Sequence, residues 1–316
     1  MRETMHLLRI CTATLSVLAI LGGCASNRQQ TMVQENEYRR MMEKQKAEAG
    51  LEDAVAQKLP AMTADEYERV GDRYLAQGNR DMAFLQYHKA LQMEPRLDRV
   101  RFKVGSLFLE RGMAKEAQGE FQEIVKHQPD SASAYDGLGR ASFHLGELEE
   151  AEKYFDRSLK LNPAFWQAHN DLGILYDRQG RAEDAIQQFE KAISLRPNDP
   201  QLYNNLGMSL LRLGEDEKAV RAFTEALRAG EPPPNVYNNL ALAFCRMGRY
   251  PEALEAFRKS GDDASAYYHL GSFFFARKEY REAIDAFDRA IELAPGFHVK
   301  AYEKKQRAKT ALTASF

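Results

Sequence analysis

The chain has 316 residues, 28% of them charged and 44% hydrophobic, and its 44 Lys and Arg stand against 46 Asp and Glu for a formal net charge of -2. That balance excludes a polyelectrolyte built for nucleic acid and a wholly disordered chain, so a charged partner has to be met by a local patch. Three cysteines, Cys11, Cys24 and Cys245, are too few and too unequal in setting for a disulfide framework.

The N-terminal stretch MRETMHLLR carries two arginines and runs into the apolar segment Ile10 to Leu21, then into Gly22-Gly23-Cys24-Ala25-Ser26. A short cationic start, an apolar centre and small residues are the three parts of a secretory signal. The apolar segment, about a dozen residues, falls short of the roughly 20 that span a bilayer permanently. Leu21-Gly22-Gly23-Cys24 resembles the lipobox of bacterial lipoproteins, in which the cysteine is acylated and the signal is cut just before it. The resemblance implies that residues 1–23 are removed and that Cys24 is the lipidated first mature residue. It also implies that Ala25, in place of Asp, directs the protein to the outer membrane. Acylation needs a thiolate nucleophile, and each buried methylene of the acyl chains contributes about 0.8 kcal/mol to anchoring. Cleavage after Ala25, with Gly23 and Ala25 as the small pair, is the alternative reading. Residues 24–62 form a polar, partly helical tether, in which Leu51, Val55 and Leu59 mark a short helix ended by Pro60.

From Thr63 onward one unit recurs. Between Trp166 and Asp199 it shows Leu172, Gly173, Tyr176, Gly180, Ala185, Phe189, Ala192 and Pro197. A step of 34 forward gives Leu206, Gly207, Leu210, Gly214, Ala219, Phe223 and Ala226, and a step back gives Leu138, Gly139, Ser142, Gly146, Ala151, Phe155, Ser158 and Pro163. Earlier copies carry Val70-Gly71 and Val104-Gly105, and a sixth carries Leu240-Ala241. A seventh, with Tyr267, Leu270, Gly271 and Phe287, follows after a step of only 30, across Ser260-Gly261-Asp262-Asp263. The series resembles the tetratricopeptide (TPR) family of helix-turn-helix repeats. The resemblance implies an all-α fold, a right-handed superhelical solenoid of seven repeats over residues 63–297, with residues 298–316 as a capping helix. Glycine at repeat position eight, alanine at twenty and the aromatics at eleven and twenty-four are packing residues, because a repeat cannot bury its core face alone.

In that family the first helix of each repeat lines a concave groove through positions two, five or six, nine, and twelve or thirteen, which share one helical face. In this chain those positions hold Gln167, Asn170, Ile174 and Arg178, then Gln201, Asn204, Asn205, Met208 and Arg212, then Asn235, Asn238, Asn239, Leu242 and Arg246. An asparagine amide both donates and accepts, so a ladder of them suits the backbone of an extended peptide whatever its side chains. The apolar residues offer shallow contacts, and the arginines favour acidic groups or a terminal carboxylate. The same pattern admits a structural reading, with the amides closing inter-helix hydrogen bonds and Arg178 paired to Asp177 or Asp171.

Catalytic signatures are missing from the sequence. His88, His127, His144, His169, His269 and His298 are scattered over different repeats, and no HExxH, P-loop, GxGxxG or GxSxG occurs. The expectation is a non-enzyme with no cofactor and no metal, in which Cys245 packs inside a helix. Signal, lipobox, tether and repeats together resemble the outer-membrane lipoproteins that assist assembly of pili and secretion machines. Among these are the TPR lipoprotein of the Tad (Flp) pilus, through NVYNNLALAFCRMGRYPEALEAFRKSGDDASAYYHLGSFFF, and the type IV pilus biogenesis lipoprotein. The resemblance implies a periplasm-facing scaffold that holds a protein or extended peptide, such as part of a secretin, and neither nucleic acid nor a small-molecule substrate. An adaptor that recruits and regulates peptidoglycan-modifying enzymes fits the same architecture.

Overall fold

The computed structural model describes residues 62–294, 296 and 298–314. Cys24, the signal, the tether with its Leu51-Val55-Leu59 helix, and Pro295 lie outside the described residues. Among those described, fifteen helices and no strand occur: α1 (Ala64–Ala76), α2 (Arg80–Met93), α3 (Asp98–Glu110), α4 (Ala114–His127), α5 (Ala132–Leu145), α6 (Leu148–Leu161), α7 (Trp166–Arg178), α8 (Ala182–Leu195), α9 (Pro200–Leu213), α10 (Asp216–Ala229), α11 (Val236–Arg246), α12 (Tyr250–Ser260), α13 (Asp263–Ala276), α14 (Tyr280–Leu293) and α15 (Val299–Thr313). The fold is an all-α repeat array. It divides into two compact units between Leu161 and Asn162.

In the first unit, the aromatic at position twenty-four of each second helix is sealed against a glycine at position eight of the first. Tyr87, Phe121 and Phe155 are at most 1% exposed. A Cβ on Gly71 would stand 2.5 Å from the Tyr87 ring, and one on Gly105 would stand 2.8 Å from the Phe121 ring. The close approach therefore forbids a side chain, and the ring takes its place. Tyr87 carries a hydroxyl where the other two have none, and it donates to Asp72 Oδ1 at 2.6 Å, so no polar group is stranded.

The second unit repeats this joint. Gly173 meets Phe189, Gly207 meets Phe223 and Gly271 meets Phe287, with hypothetical Cβ contacts of 2.7, 2.5 and 2.8 Å. Each fully buried phenylalanine contributes about 1.5–3 kcal/mol of apolar burial. In the sixth repeat Ala241 replaces the glycine, and its partner Phe257 is 6% exposed, whereas Phe189 is 1% and Phe223 and Phe287 are 0% exposed. Three of the four residues missing from the shortened step are missing from α12, which has 11 residues where α8, α10 and α14 have 14 each.

Position fifteen closes each first helix with a left-handed residue. Gly78, Gly112, Gly146, Gly180, Gly214 and Gly248 fill it with φ from 72° to 87°, and in the seventh repeat Lys278 fills it at φ 64°. Glycine has no Cβ to collide there, so six of the seven turns use the residue suited to that conformation. After the last pair, α15 lays Ala301 and Ala308, both 0% exposed, onto the core of the second unit.

Candidate functional site

The groove-lining positions of the second unit are joined by a simple register. Position five of one first helix meets position six of the next. Asn205 Nδ2 donates to Asn170 Oδ1 at 2.9 Å, and Asn239 Nδ2 donates to Asn204 Oδ1 at 2.8 Å. The same offset of 35 residues appears in the first unit as Lys103 Nζ donating to Glu68 Oε1 at 2.8 Å. Repeat geometry sets the meeting point, and the local sequence decides whether amides or charges fill it.

Further bonds extend the ladder. Gln201 Nε2 donates to Asn205 Oδ1 at 2.8 Å, and Asn170 Nδ2 donates to Asp171 Oδ1 at 2.9 Å. A primary amide has two N–H groups and two lone pairs, so one bond on each side leaves Asn170 and Asn205 capacity for more. Asn204 differs, being 3% exposed. The groove surface that the sequence pattern assigns to it is taken up by helix α11, because the residue accepting from Asn239 has to lie between the two helices. Gln167 is half-buried and Gln201 exposed, while Asn235 stands just ahead of α11 as its N-cap residue.

Arg212 and Arg246 are engaged with the preceding repeat. Arg212 forms an ion pair with Asp177, whose Oδ2 also accepts from Ser209 Oγ at 2.7 Å. Arg246 Nε lies 2.9 Å from Asp216 Oδ1, and its Nη1 donates to the Leu211 carbonyl at 2.5 Å. An acidic partner at Arg212 or Arg246 would therefore compete with a carboxylate already in place. Arg178 is exposed.

The apolar residues of the pattern divide as well. Ile174 is 37% and Leu242 36% exposed, whereas Met208 is half-buried and packed against the core. An unbranched thioether bends into a core gap more easily than a branched side chain, which draws Met208 inward.

The ladder ends where the step shortens. Counted with the step of 30, positions five and six of the seventh repeat are Tyr268 and His269, which a pattern of amides does not reach. Asn238 accepts from Ser260 Oγ at 2.6 Å instead. His269 stacks on Phe257 with centroids 5.3 Å apart, and Tyr268 stacks on His298 at 5.2 Å. Lys304 Nζ stands 4.9 Å from the Tyr268 ring centroid and donates to Ser272 Oγ at 2.8 Å.

Among the described residues no group of three or more His, Cys, Asp or Glu could hold a metal ion, and no helix is long and apolar enough to cross a membrane. Cys245 is 1% exposed, and burial pushes its thiol up to about 12, away from the thiolate that reactivity requires.

Comparison with known proteins places the array. Residues 238–296 match the tetratricopeptide repeat family, and residues 23–266 match the family described as the cilia and flagella-associated protein 70 C-terminal domain. Among solved structures, TTC0263, a thermophilic TPR protein in Thermus thermophilus, is 21% identical with a TM-score of 0.53, over 58% of this chain and 100% of that one. A tetratricopeptide repeat protein from Parabacteroides merdae is 17% identical with a TM-score of 0.53, over 78% of this chain and 98% of that one. These two show the fold. MamA is 30% identical over 51% of this chain and 94% of its own, with a TM-score of 0.42. Curated proteins give no match. The second of the family matches spans well over half of the sequence, so this tetratricopeptide-repeat chain belongs to the family of the cilia and flagella-associated protein 70 C-terminal domain.

Proposed function

We propose that residues 162–314 hold a protein partner along the groove-lining face of their first helices, and that the chain is a lipid-anchored scaffold for assembling a pilus or secretion machine at the bacterial outer membrane. The observation that carries the groove reading is where exposed apolar surface remains. Ile174 and Leu242 at position nine of α7 and α11, with Val299 at 53% and Tyr302 at 43% exposure on α15, are large apolar side chains left in water on alternate first-type helices, while Leu195 and Leu293 are exposed in the same way at repeat position thirty on α8 and α14. Covering such surface gains roughly 25 cal/mol per Å², and apolar residues that recur at one repeat position mark an interaction face better than scattered ones do. The repeat fold supports protein or peptide binding in general. The anchor rests on the lipobox at Cys24, and the assembly role rests on the resemblance of signal, tether and repeats to pilus lipoproteins.

The test is photocrosslinking in cells from Ile174 and Leu242, with exposed Lys191 on the second-helix side as the control position. Capture of a secretin or pilus-assembly component from the two groove positions is expected. Capture of peptidoglycan-modifying enzymes alone would move the role to an enzyme adaptor, and capture from Lys191 alone would refute the groove. For the anchor, Cys24→Ala is expected to shift the protein from the membrane to the soluble fraction, and retention on the membrane would refute lipidation.

A further inference from the structure

Acid recognition has a better seat in this unit than its arginine ladder. Helix α15 carries Lys300, Lys304, Lys305, Arg307 and Lys309 against a single acid, Glu303, in a chain whose total charge is slightly negative. Lys305 is neutralised by Asp288. Among the described residues, no carboxylate lies within ion-pair distance of Lys300, Lys304, Arg307 or Lys309, whereas Arg212 and Arg246 each have one. Lys300, Lys304 and Arg307 fall at i, i+4 and i+7, so they share one flank of the helix. Lys304 shows which way that flank faces, since its ammonium reaches Ser272 and the Tyr268 ring, residues at groove-lining positions nine and five of α13. A half-buried ammonium with three donors uses one on a neutral hydroxyl here and has no counter-ion. Beside it, loss of hydration first and the Lys304 charge second lower the His269 pKa, so His269 adds aromatic surface rather than charge.

We propose that this end of the groove, bordered by Lys300, Lys304 and Arg307 with Tyr268 and His269 as its floor, takes the carboxylates of an acidic segment of the partner protein. The proposal rests on the groove reading and shifts its acid preference from Arg178, Arg212 and Arg246 to α15. The unpaired positive charge of α15 is the complement that selects an acidic occupant, and the rings beside Lys304 accept the carbon chains of Glu or an adjacent aromatic. An anionic membrane surface is disfavoured, because α15 spends its small apolar face on the core and exposes only Val299 and Tyr302 as large apolar groups.

The experiment uses the full chain and fluorescently labelled peptides. One is a Glu- and Tyr-containing peptide amidated at its C-terminus, the second its Gln counterpart, also amidated, and the third the Gln counterpart with a free C-terminal carboxylate. The amidated acidic peptide is expected to bind more tightly than its amidated Gln counterpart, and the free-acid peptide reports whether a chain terminus substitutes for side-chain carboxylates. Lys300→Glu/Lys304→Glu/Arg307→Glu should weaken the acidic peptide by about tenfold or more, given exposed ion pairs of about 0.2–1 kcal/mol each. Lys304→Arg should retain binding, and helicity by circular dichroism should be unchanged in both variants. Equal binding of the acidic and Gln peptides, or indifference to the charge reversal, would overturn the proposal. So would preference for phosphatidylglycerol vesicles over the acidic peptide. Failure of the crosslinks at Ile174 and Leu242 with acidic binding intact would instead remove the groove reading and leave this site standing.

Discussion

The asparagine pair between α9 and α11 separates a ladder that builds the groove from one that only decorates it. Asn204 is 3% exposed and accepts from Asn239 Nδ2 at 2.8 Å. Asn204→Ala removes that acceptor and strands a half-buried donor, which costs about 1–3 kcal/mol, more than the 0.5–1.5 kcal/mol net worth of the bond. Asn239→Ala removes the donor from the other side. In the double variant the bond is lost only once, so the two changes together should cost about 1 kcal/mol less than the sum of the singles. Asn204→Leu, which keeps the volume, separates the bond from the cavity. Urea unfolding followed by far-UV circular dichroism measures the unmodified protein and the four variants. A repeat array transmits such a loss mainly to neighbouring repeats, so the foot of the transition should broaden as well as move. Additivity within about 0.3–0.5 kcal/mol would refute an inter-helix ladder and return these amides to the partner.

Lys278→Gly should stabilise the protein by about 1 kcal/mol. The left-handed conformation costs a non-glycine residue roughly 1–2 kcal/mol, and part of that gain is lost to the greater freedom of glycine in the unfolded chain; an unchanged or lower thermal midpoint would refute the assignment of that turn. Cys245 should resist thiol reagents in the native protein and react on unfolding in urea, since it is buried with its thiol pushed up to about 12; rapid labelling of the native state would contradict its packing.

The repeat was legible in the sequence because its packing rule is local and periodic. Gly207 is glycine because the Phe223 ring occupies the space of its Cβ, 2.5 Å away, and the spacing between the two recurs in repeat after repeat. Helical face and repeat position likewise follow from counting, which is why Ile174 and Leu242 can be set at the same repeat position from the sequence itself, where the structure leaves both exposed. Counting cannot show which side of a position meets the neighbouring repeat. Asn204 and Asn205 are adjacent in sequence, yet one is buried under Asn239 and the other bonds back to Asn170. The pairing of Arg212 with Asp177 crosses 35 residues and depends on how two helices are offset, a quantity that no single helix encodes. The shortened α12 moves Tyr268 and His269 into the places where amides would continue, and α15 brings Lys304 to that ring from beyond the last repeat. The sequence by itself determined the repeat, its helices and the residues that seal each joint, because those depend on contacts inside one unit. Only the tertiary structure decided which polar groups are spent between repeats and which charges on α15 lack a counter-ion, because those depend on how successive helices of neighbouring repeats are offset.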